Sequence, residues 1–291
     1  MTQTLLGTVQ LGLAYGINNQ RGLPTQERAF AILDEALRQG LDTLDTARDY
    51  GTALQVIGAF HANNTRQFKV LSKFKTHQLT EHNILREVES QLATLHVPRL
   101  ECLSFHGIHD YKKAPSALRT QLAELKASGL VKKIGVSTYT TEESVTAIQD
   151  PLIDLIQMPF NLLDNHTLRQ DVFKANITQK KSIHIRSVFL QGLFFMSSED
   201  VSKKSTQLRQ LSPYVEKLQQ LATECQISIE ELALTYAQSF PEIEGVVLGV
   251  DTPEQLQQLL KHRGKKLTLD IIAKINRITV PDKNLLLPTN W

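Results

Sequence analysis

The sequence predicts a (β/α)8 barrel of the TIM type, built as one domain over residues 1–291. Three observations predict it. Short apolar runs alternate with amphipathic stretches along the chain, the pattern of repeated βα units around a parallel sheet. The apparent strand ends at positions 45, 73, 106 and 137 fall 28, 33 and 31 residues apart, about one strand, one helix and two loops per unit, which favours a barrel over an open sheet. No Pro-, Gly- or Ser-rich linker divides the chain, and 291 residues suits a barrel of this kind, which typically needs about 250.

Taken in order, the apolar runs place strands near Thr4–Val9, Leu41–Leu44, Phe68–Ser72, Leu100–Phe105, Lys132–Val136, Leu155–Met158, Ile183–Arg186 and Glu244–Leu248. Between them, apolar residues at three and four spacing predict helices such as Gln26–Gln39, Glu81–Leu95, Ala114–Ser128, Leu208–Glu224 and Pro253–Lys261. Gly40 and Gly129 follow two of these as helix-ending residues. The interval from the seventh strand to the eighth is about twice as long as the others. It holds a polar loop around Ser197–Thr206 and two helical segments, and such an insertion serves either as a lid or as a solvated loop. After Lys266, Ile271–Ile278 reads as a last helix, and the closing LLLPTNW is apolar enough to pack back, at the mouth of the barrel or at its bottom.

Hydrophobic residues make up 41% and charged residues 21%, a composition that can bury a sizeable core. A net charge of +2 gives no field suited to nucleic acid or an anionic membrane, which leaves a small-molecule partner. The first residues lack the basic and apolar regions of a signal peptide, and no apolar stretch approaches the roughly 20 residues that span a bilayer, so the expected location is cytoplasmic. Cys102 and Cys225 stand far apart without metal-ligand spacing and read as reduced thiols; no metal site is expected. The chain is expected to be a monomer or a small homo-oligomer.

In parallel barrels the active site lies at the C-terminal strand ends, so ionisable residues just after apolar runs are the candidates. LDTLDTARDYG ends the second strand with Asp45 and brings Tyr50 five residues on; VLSKF ends the third with Lys73; ECLSFHG ends the fourth with His106. Each has a structural alternative. Asp45 or Thr46 could cap the next helix, Lys73 could extend its stem across the rim, His106 could be a core histidine, and Tyr50 a packing residue. Against these stands the convergence of three adjacent strands on one face.

The set suits proton donation to a carbonyl oxygen as it gains negative charge. A tyrosine holds its proton at neutral pH, with an ordinary pKa of about 10, and needs its phenolate stabilised. Lys73 would do that by Coulomb attraction, Asp45 would hold the ammonium, and His106 would orient the carbonyl by a hydrogen bond. No nucleophile, metal set or Ser–His–Asp order accompanies them, so the electrons must come from a cofactor, most economically a reduced nicotinamide.

These residues resemble the aldo-keto reductase family. The matching elements are DTAxxYG at Asp45–Gly51, Lys73, His106, IGVS at Ile134–Ser137 and IQMPFN at Ile156–Asn161, in family order and over most of the chain. The resemblance implies a (β/α)8 barrel, a cofactor-first mechanism with NADP or NAD, and the tetrad Asp45, Tyr50, Lys73 and His106. It implies that Ser137 and Gln157 hold the nicotinamide carboxamide, and that Gly7, Thr8, Thr138, Arg186, Ser187, Leu190, Gly192, Leu248, Gly249 and Gln255 complete the cofactor site.

Three positions depart from the family pattern. Thr138 follows Ser137 where asparagine is frequent. Arg186 stands where an aromatic ring commonly stacks on the nicotinamide; its guanidinium plane can stack, and its charge would disfavour the oxidised, cationic ring. After the eighth strand, VVLGVDTPEQLQQ offers Asp251, which would repel a ribose 2′-phosphate, with only Lys261, His262 and Arg263 further on to offset it. The segment LGTVQLGLAYG also resembles members linked to sugar metabolism, and Tyr15 and Asn18 after the first strand would suit a hydroxylated substrate. The expected function is reduction of an aldehyde or ketone. The alternatives are a sugar dehydrogenase acting oxidatively and a cofactor-binding regulatory barrel with little turnover.

Overall fold

The computed structural model describes residues 2–19, 21–79 and 83–291. Eight parallel strands close into a barrel in chain order, β1 pairing with both β2 and β8. β1 (Gln3–Gly7) leads through the single turn α1 (Val9–Gly12) to α2 (Gln26–Arg38). β2 (Thr43–Asp45) is followed by α3 (Ala53–Ala62), β3 (Lys69–Phe74) by α4 (Ile84–Leu95), and β4 (Leu100–Phe105) by the short α5 (Ile108–Lys113) and α6 (Ser116–Ala127). β5 (Val131–Ser137) leads to α7 (Thr141–Ile148), and β6 (Leu155–Pro159) to α8 (His166–Gln179). Between β7 (Ser182–Arg186) and β8 (Gly245–Gly249) lie α9 (Ser198–Lys204), α10 (Thr206–Glu224) and α11 (Ile229–Ala237); α12 (Pro253–Leu260) and α13 (Leu269–Asn276) close the chain.

The strand expectations hold to within a few residues, and the deviations have local causes. Val9 leaves the first strand because the Thr8 N–H donates to the carbonyl of Asp45, and Leu11 N–H then donates to the Thr8 carbonyl to start α1. The helix predicted from Glu81 begins at Ile84, with the Asn83 side chain accepting from Arg86 N–H; Glu81 itself lies outside the described residues. The helix predicted over Ala114–Ser128 runs from Ser116 to Ala127, starting right after Pro115, whose missing N–H suits an N-terminal position. Gly40 and Gly129 end their helices at φ +76° and +81°, as expected.

The polar stretch Ser197–Thr206 is not a loop. Ser197 caps α9 by accepting from Asp200 N–H, Lys203 pairs with Glu199 one turn back, and Ser205 caps α10 by accepting from Leu208 N–H. The tail reaches the mouth of the barrel: Asn165 donates to the carbonyls of Ile275 and Ile278, Leu285 and Leu286 are buried, and Trp291 donates to the Leu285 carbonyl.

The main core lies between the outer faces of the strands and the helices, while inside the barrel a second, small cluster joins Leu5, Leu71, Cys102 and Leu155. This alternation puts Leu71 and Lys73 inside the barrel and Val70, Ser72 and Phe74 against the helices, where Ser72 donates to Gln91 of α4. Cys102 and Cys225 are free thiols. Among the described residues no helix is long and apolar enough to cross a membrane.

The imidazole of His184 fills the barrel interior against Gly245, where a Cβ would lie 2.8 to 2.9 Å from three ring atoms. Gly245→Ala is therefore expected to lower unfolding stability by about 1–3 kcal/mol through overpacking, read as a lower urea midpoint at unchanged slope; an unchanged midpoint would show that the ring yields.

Candidate active site

A cavity of about 960 Å³ opens at the C-terminal ends of the strands, lined by all four strand-end candidates, Asp45, Tyr50, Lys73 and His106. Asp45 is fixed first. Its strand pairs with β1 and β3, and Thr8 donates both its N–H and its hydroxyl to the Asp45 carbonyl. One carboxylate oxygen accepts from Lys73 Nζ at 2.6 Å and the other from Gln157 Nε2 at 2.7 Å. Asp45 and Lys73 are 4% and 2% exposed, so the pair is a buried ion pair across the strand ends.

Lys73 Nζ also donates to the Thr46 carbonyl at 3.0 Å and to the Tyr50 hydroxyl at 3.5 Å, which completes the three donors of an ammonium. Burial acts against its charge, but the attraction of Asp45 and Tyr50 outweighs it and holds the amine above the ordinary lysine range. The capping and snorkelling alternatives for Asp45, Thr46 and Lys73 are thus set aside: α3 begins at Ala53, behind Thr52, and the ammonium is buried beneath the cavity rather than extended over the rim.

Tyr50 sits on the turn between β2 and α3, its N–H donating to the Ala47 carbonyl and its own carbonyl accepting from Ala53 N–H. Two glycines seat this turn on α1. Gly51 adopts φ +55°, its added Cβ would overlap the Gly12 carbonyl, and a Cβ on Gly12 would overlap the Tyr50 carbonyl. The first glycine of LGLAYG and the glycine of DYG therefore position the tyrosine jointly.

His106 meets the Tyr50 ring edge-on, with centroids 6.0 Å apart at 86°. Burial and then the Lys73 charge push its imidazole down to about 4, against the pull of Asp49, so the ring is neutral near pH 7. Its Nδ1 is buried without a hydrogen-bond partner, with Asp49 Oδ2 at 3.9 Å; Asp49 is itself paired with Lys75. A neutral imidazole can donate one hydrogen bond to a bound carbonyl without adding charge. Asp49 and Lys75 were missed in the sequence, although Asp49 stands inside the DTARDYG run.

Of the residues expected at a cofactor, Gly7, Thr8, Ser137, Gln157, Arg186, Ser187, Gly192, Gly249 and Gln255 line the cavity. Thr138, Leu190 and Leu248 are not part of that lining. All three are buried in the wall; the Thr138 hydroxyl is engaged with Ser144 at 2.7 Å, and the leucine side chains belong to the core. The substituted Ser-Asn pair thus leaves no free hydroxyl in place of the amide.

The cavity suits a nicotinamide dinucleotide. Gln157 commits its amide nitrogen to Asp45 and leaves Oε1 buried without a partner, an acceptor suited to a carboxamide N–H beside Ser137. Gln10 leaves a second such oxygen further along the cavity, against the bare Cα of Gly249. At the far end Asp251, Glu254 and Arg21 line the wall. Burial holds the Asp251 carboxyl above its ordinary range, against the attraction of Arg21. Lys261, His262 and Arg263 are turned to Gln258, Glu231 and the Gln39 carbonyl and do not line the cavity, so Arg21 takes the place the sequence reading gave them. Tyr139, also missed, leaves β5 right after Thr138 and carries Arg186 on its ring face. Among the described residues no cluster of three or more His, Cys, Asp or Glu could hold a metal.

A closed (β/α)8 barrel with a buried carboxylate–ammonium pair under a tyrosine and a neutral histidine at its mouth defines the class of nicotinamide-dependent oxidoreductases with this tetrad. The chain belongs to the Aldo/keto reductase family, whose profile matches residues 5–279. It is an NAD(P)-dependent oxidoreductase. D-threo-aldose 1-dehydrogenase of a Pseudomonas species is 22% identical over 90% of this chain and 92% of its own. Aldo-keto reductase YhdN of Bacillus subtilis strain 168 is 24% identical over 87% and 84%. Among solved structures, the holo form of aldo-keto reductase AKR11C1 from Bacillus halodurans superposes with a TM-score of 0.73 at 18% identity, over 96% of this chain and 94% of that one. Glycerol dehydrogenase AKR11B4 from Gluconobacter oxydans gives 0.73 at 18%, over 94% and 90%.

Both His106 and the interior His184 are held neutral, each pushed down to about 4, His184 chiefly by burial against the attraction of Glu244. A group whose folded pKa lies below its unfolded value binds protons preferentially when unfolded, so stability is complete above about pH 6.5 and falls as pH drops toward 4. The urea midpoint is expected to fall between pH 7 and pH 5, and His184→Asn to remove part of that fall while leaving the His106 part; an identical pH dependence in the variant would contradict it.

Proposed function

We propose that the protein reduces an aldehyde or ketone to an alcohol, with Tyr50 delivering the proton to the carbonyl oxygen. The observation that carries this reading is the buried Lys73 ammonium bonded at once to Asp45 and to the Tyr50 hydroxyl. When bound, the reduced nicotinamide supplies the hydride to the carbonyl carbon. The chain's own residues do the rest. The phenolate left on Tyr50 after proton transfer faces the ammonium, which is held in place by a carboxylate and a carbonyl and needs no rearrangement as charge develops. His106, neutral, donates to the carbonyl oxygen and fixes it against Tyr50. Gln157 would link the two halves of the site, since the amide that holds Asp45 leaves its oxygen free to accept from a nicotinamide carboxamide.

Oxidation of a sugar to its lactone is the second reading, favoured by the similarity to a D-threo-aldose 1-dehydrogenase and by the hydrogen-bonding side chains Tyr15, Asn18 and Gln191 at the mouth. In that direction Tyr50 accepts the proton it otherwise gives.

Tyr50→Phe is expected to lower turnover by at least about 100-fold in either direction, while the dissociation constant for cofactor stays within a factor of about two. Unaltered turnover would sink the role given to Tyr50. Rates with aldehydes plus NADH or NADPH, set against rates with aldoses plus NAD or NADP, decide between the directions. Binding without turnover on either panel would favour a regulatory barrel.

The far end of the cavity supports a preference for NAD(H). A 2′-phosphate there would meet the carboxylates of Asp251 and Glu254, opposed by Arg21 in the lining and by Arg28 near Glu254, whereas a ribose diol could donate to Asp251. Parallel titrations are expected to give tighter binding of NADH than of NADPH, and Asp251→Ser to narrow the gap; tighter NADPH binding by the unaltered protein would overturn this preference.

A further inference from the structure

Each cation around the tetrad has its carboxylate except one. Lys73 is matched by Asp45 and Lys75 by Asp49. Arg186, at the end of β7, lines the same cavity and has no carboxylate at ion-pair distance among the described residues. The nearest candidate by charge, Asp164, is already spanned by Arg169, through Nε and Nη2 at 2.6 Å each.

The guanidinium is also held in position. Its Nη2 donates to the Thr138 carbonyl at 3.2 Å and its Nη1 to the Ser187 hydroxyl at 3.3 Å, while its central carbon lies 4.4 Å from the Tyr139 ring centroid. Tyr139 is fixed in turn, its carbonyl accepting from Arg169 Nη2 at 2.6 Å. One face of the guanidinium is therefore covered by an aromatic ring, and the group cannot swing toward solvent without breaking two hydrogen bonds. Its field reaches the neighbouring titratable groups: it contributes to the depression of His106, after burial and the two lysines, and opposes the effect of burial on Tyr15.

We infer that Arg186 sets the redox-state preference of the site, its uncompensated charge making the barrel hold the reduced, neutral nicotinamide more tightly than the oxidised, cationic one. This rests on the reading of the cavity as a nicotinamide site. The two forms of the cofactor share every phosphate and differ by one positive charge on the ring, so the ratio of their dissociation constants reports the potential at the ring and cancels the rest of the molecule. The ring has to lie beside the carbonyl that meets Tyr50, in the cavity that Arg186 lines. A fixed cation there, in surroundings of intermediate dielectric, disfavours a second cation by on the order of tenfold or more. Lys73, paired with Asp45, is common to the unaltered protein and to any Arg186 variant, so a change in the ratio between them isolates Arg186. The consequence is a site biased to load reduced cofactor and to let the oxidised form go, which suits a reductase rather than a sugar dehydrogenase.

Calorimetric titration of the full chain with NADH, NAD, NADPH and NADP is the test, on the unaltered protein, Arg186→Met and Arg186→Lys. The unaltered protein is expected to bind the reduced form about tenfold or more tightly than the oxidised form. Arg186→Met is expected to shrink that ratio at least about fivefold, and Arg186→Lys, which keeps the charge, to retain most of it. Raising the salt should shrink the ratio in the unaltered protein and leave it unmoved in Arg186→Met. An equal ratio in the Met variant and the unaltered protein, or tighter oxidised binding by the latter, overturns the role of Arg186 while leaving the cofactor site standing. If Arg186→Met fails to fold by its urea transition, the salt series on the unaltered protein decides, a salt-independent ratio counting against the inference. Failure of the unaltered protein to bind any of the four overturns the cofactor reading itself.

Discussion

The mouth of this barrel is organised around one buried ion pair, Lys73 with Asp45. Taking both charges out of water is expensive, and their attraction repays it only when the remaining donors and acceptors are satisfied. Here they are. The ammonium spends its other two donors on the Thr46 carbonyl and Tyr50, and the carboxylate spends its second oxygen on Gln157, so the pair draws groups from β2, β3 and β6 and from the turn after β2 into one network. The barrel supplies what makes this possible, since adjacent parallel strands in fixed register deliver Asp45 and Lys73 to the same rim.

From that pair the electrostatics of the site follow. The lysine helps to keep His106 neutral, and Asp49, which would charge the histidine, is drawn off by Lys75. The floor of the site is thus close to balanced, two cations against two carboxylates. Against such a floor a single further charge is felt, and Arg186 brings one. The guanidinium needs its own support, which runs outward through Tyr139 to the buried Arg169–Asp164 pair. A second ion pair, remote from the chemistry, therefore anchors the cation that the first one leaves unopposed.

Much of this was legible in the sequence, for a physical reason. Strands buried on both faces appear as apolar runs, and the first ionisable residue after each run marks its C-terminal end, which is how Asp45, Lys73 and His106 could be found without coordinates. What escaped was structure without period. α1 is one turn long, and α9 buries only Val201, so neither leaves an amphipathic trace; α9 was visible only in its capping serine and the acidic residues after it. Leu190, Leu248 and Thr138 lie behind the cavity lining because a strand-end position does not tell which wall a side chain faces, and one residue of register turns a cavity side chain into a core one. Asp49, Arg21 and Tyr139 escaped because loop residues take their roles from partners distant in sequence.

The tetrad and the walls above it come from different parts of the design. The tetrad rests on strand ends and one glycine-seated turn, whereas the walls come from loops at opposite ends of the chain. The segment after β1 meets the segment after β7 where Gln191 donates to the Tyr15 hydroxyl at 3.2 Å, with Lys204 donating to the Ile17 carbonyl and the C-terminal Pro288 and Thr289 closing another side. The β7 segment holds Ser187, Leu190 and Gln191 at positive φ, a backbone that bulky residues adopt only when surrounding contacts over-determine it. Those contacts are with the β1 segment and the core, so a change in either loop alters the shape of both. At 18 to 24% identity to its relatives, this chain shares with them the barrel that carries the chemistry. The loops that shape the mouth are coupled across the cavity by the Gln191–Tyr15 and Lys204–Ile17 hydrogen bonds, so its shape belongs to the pair rather than to either segment alone.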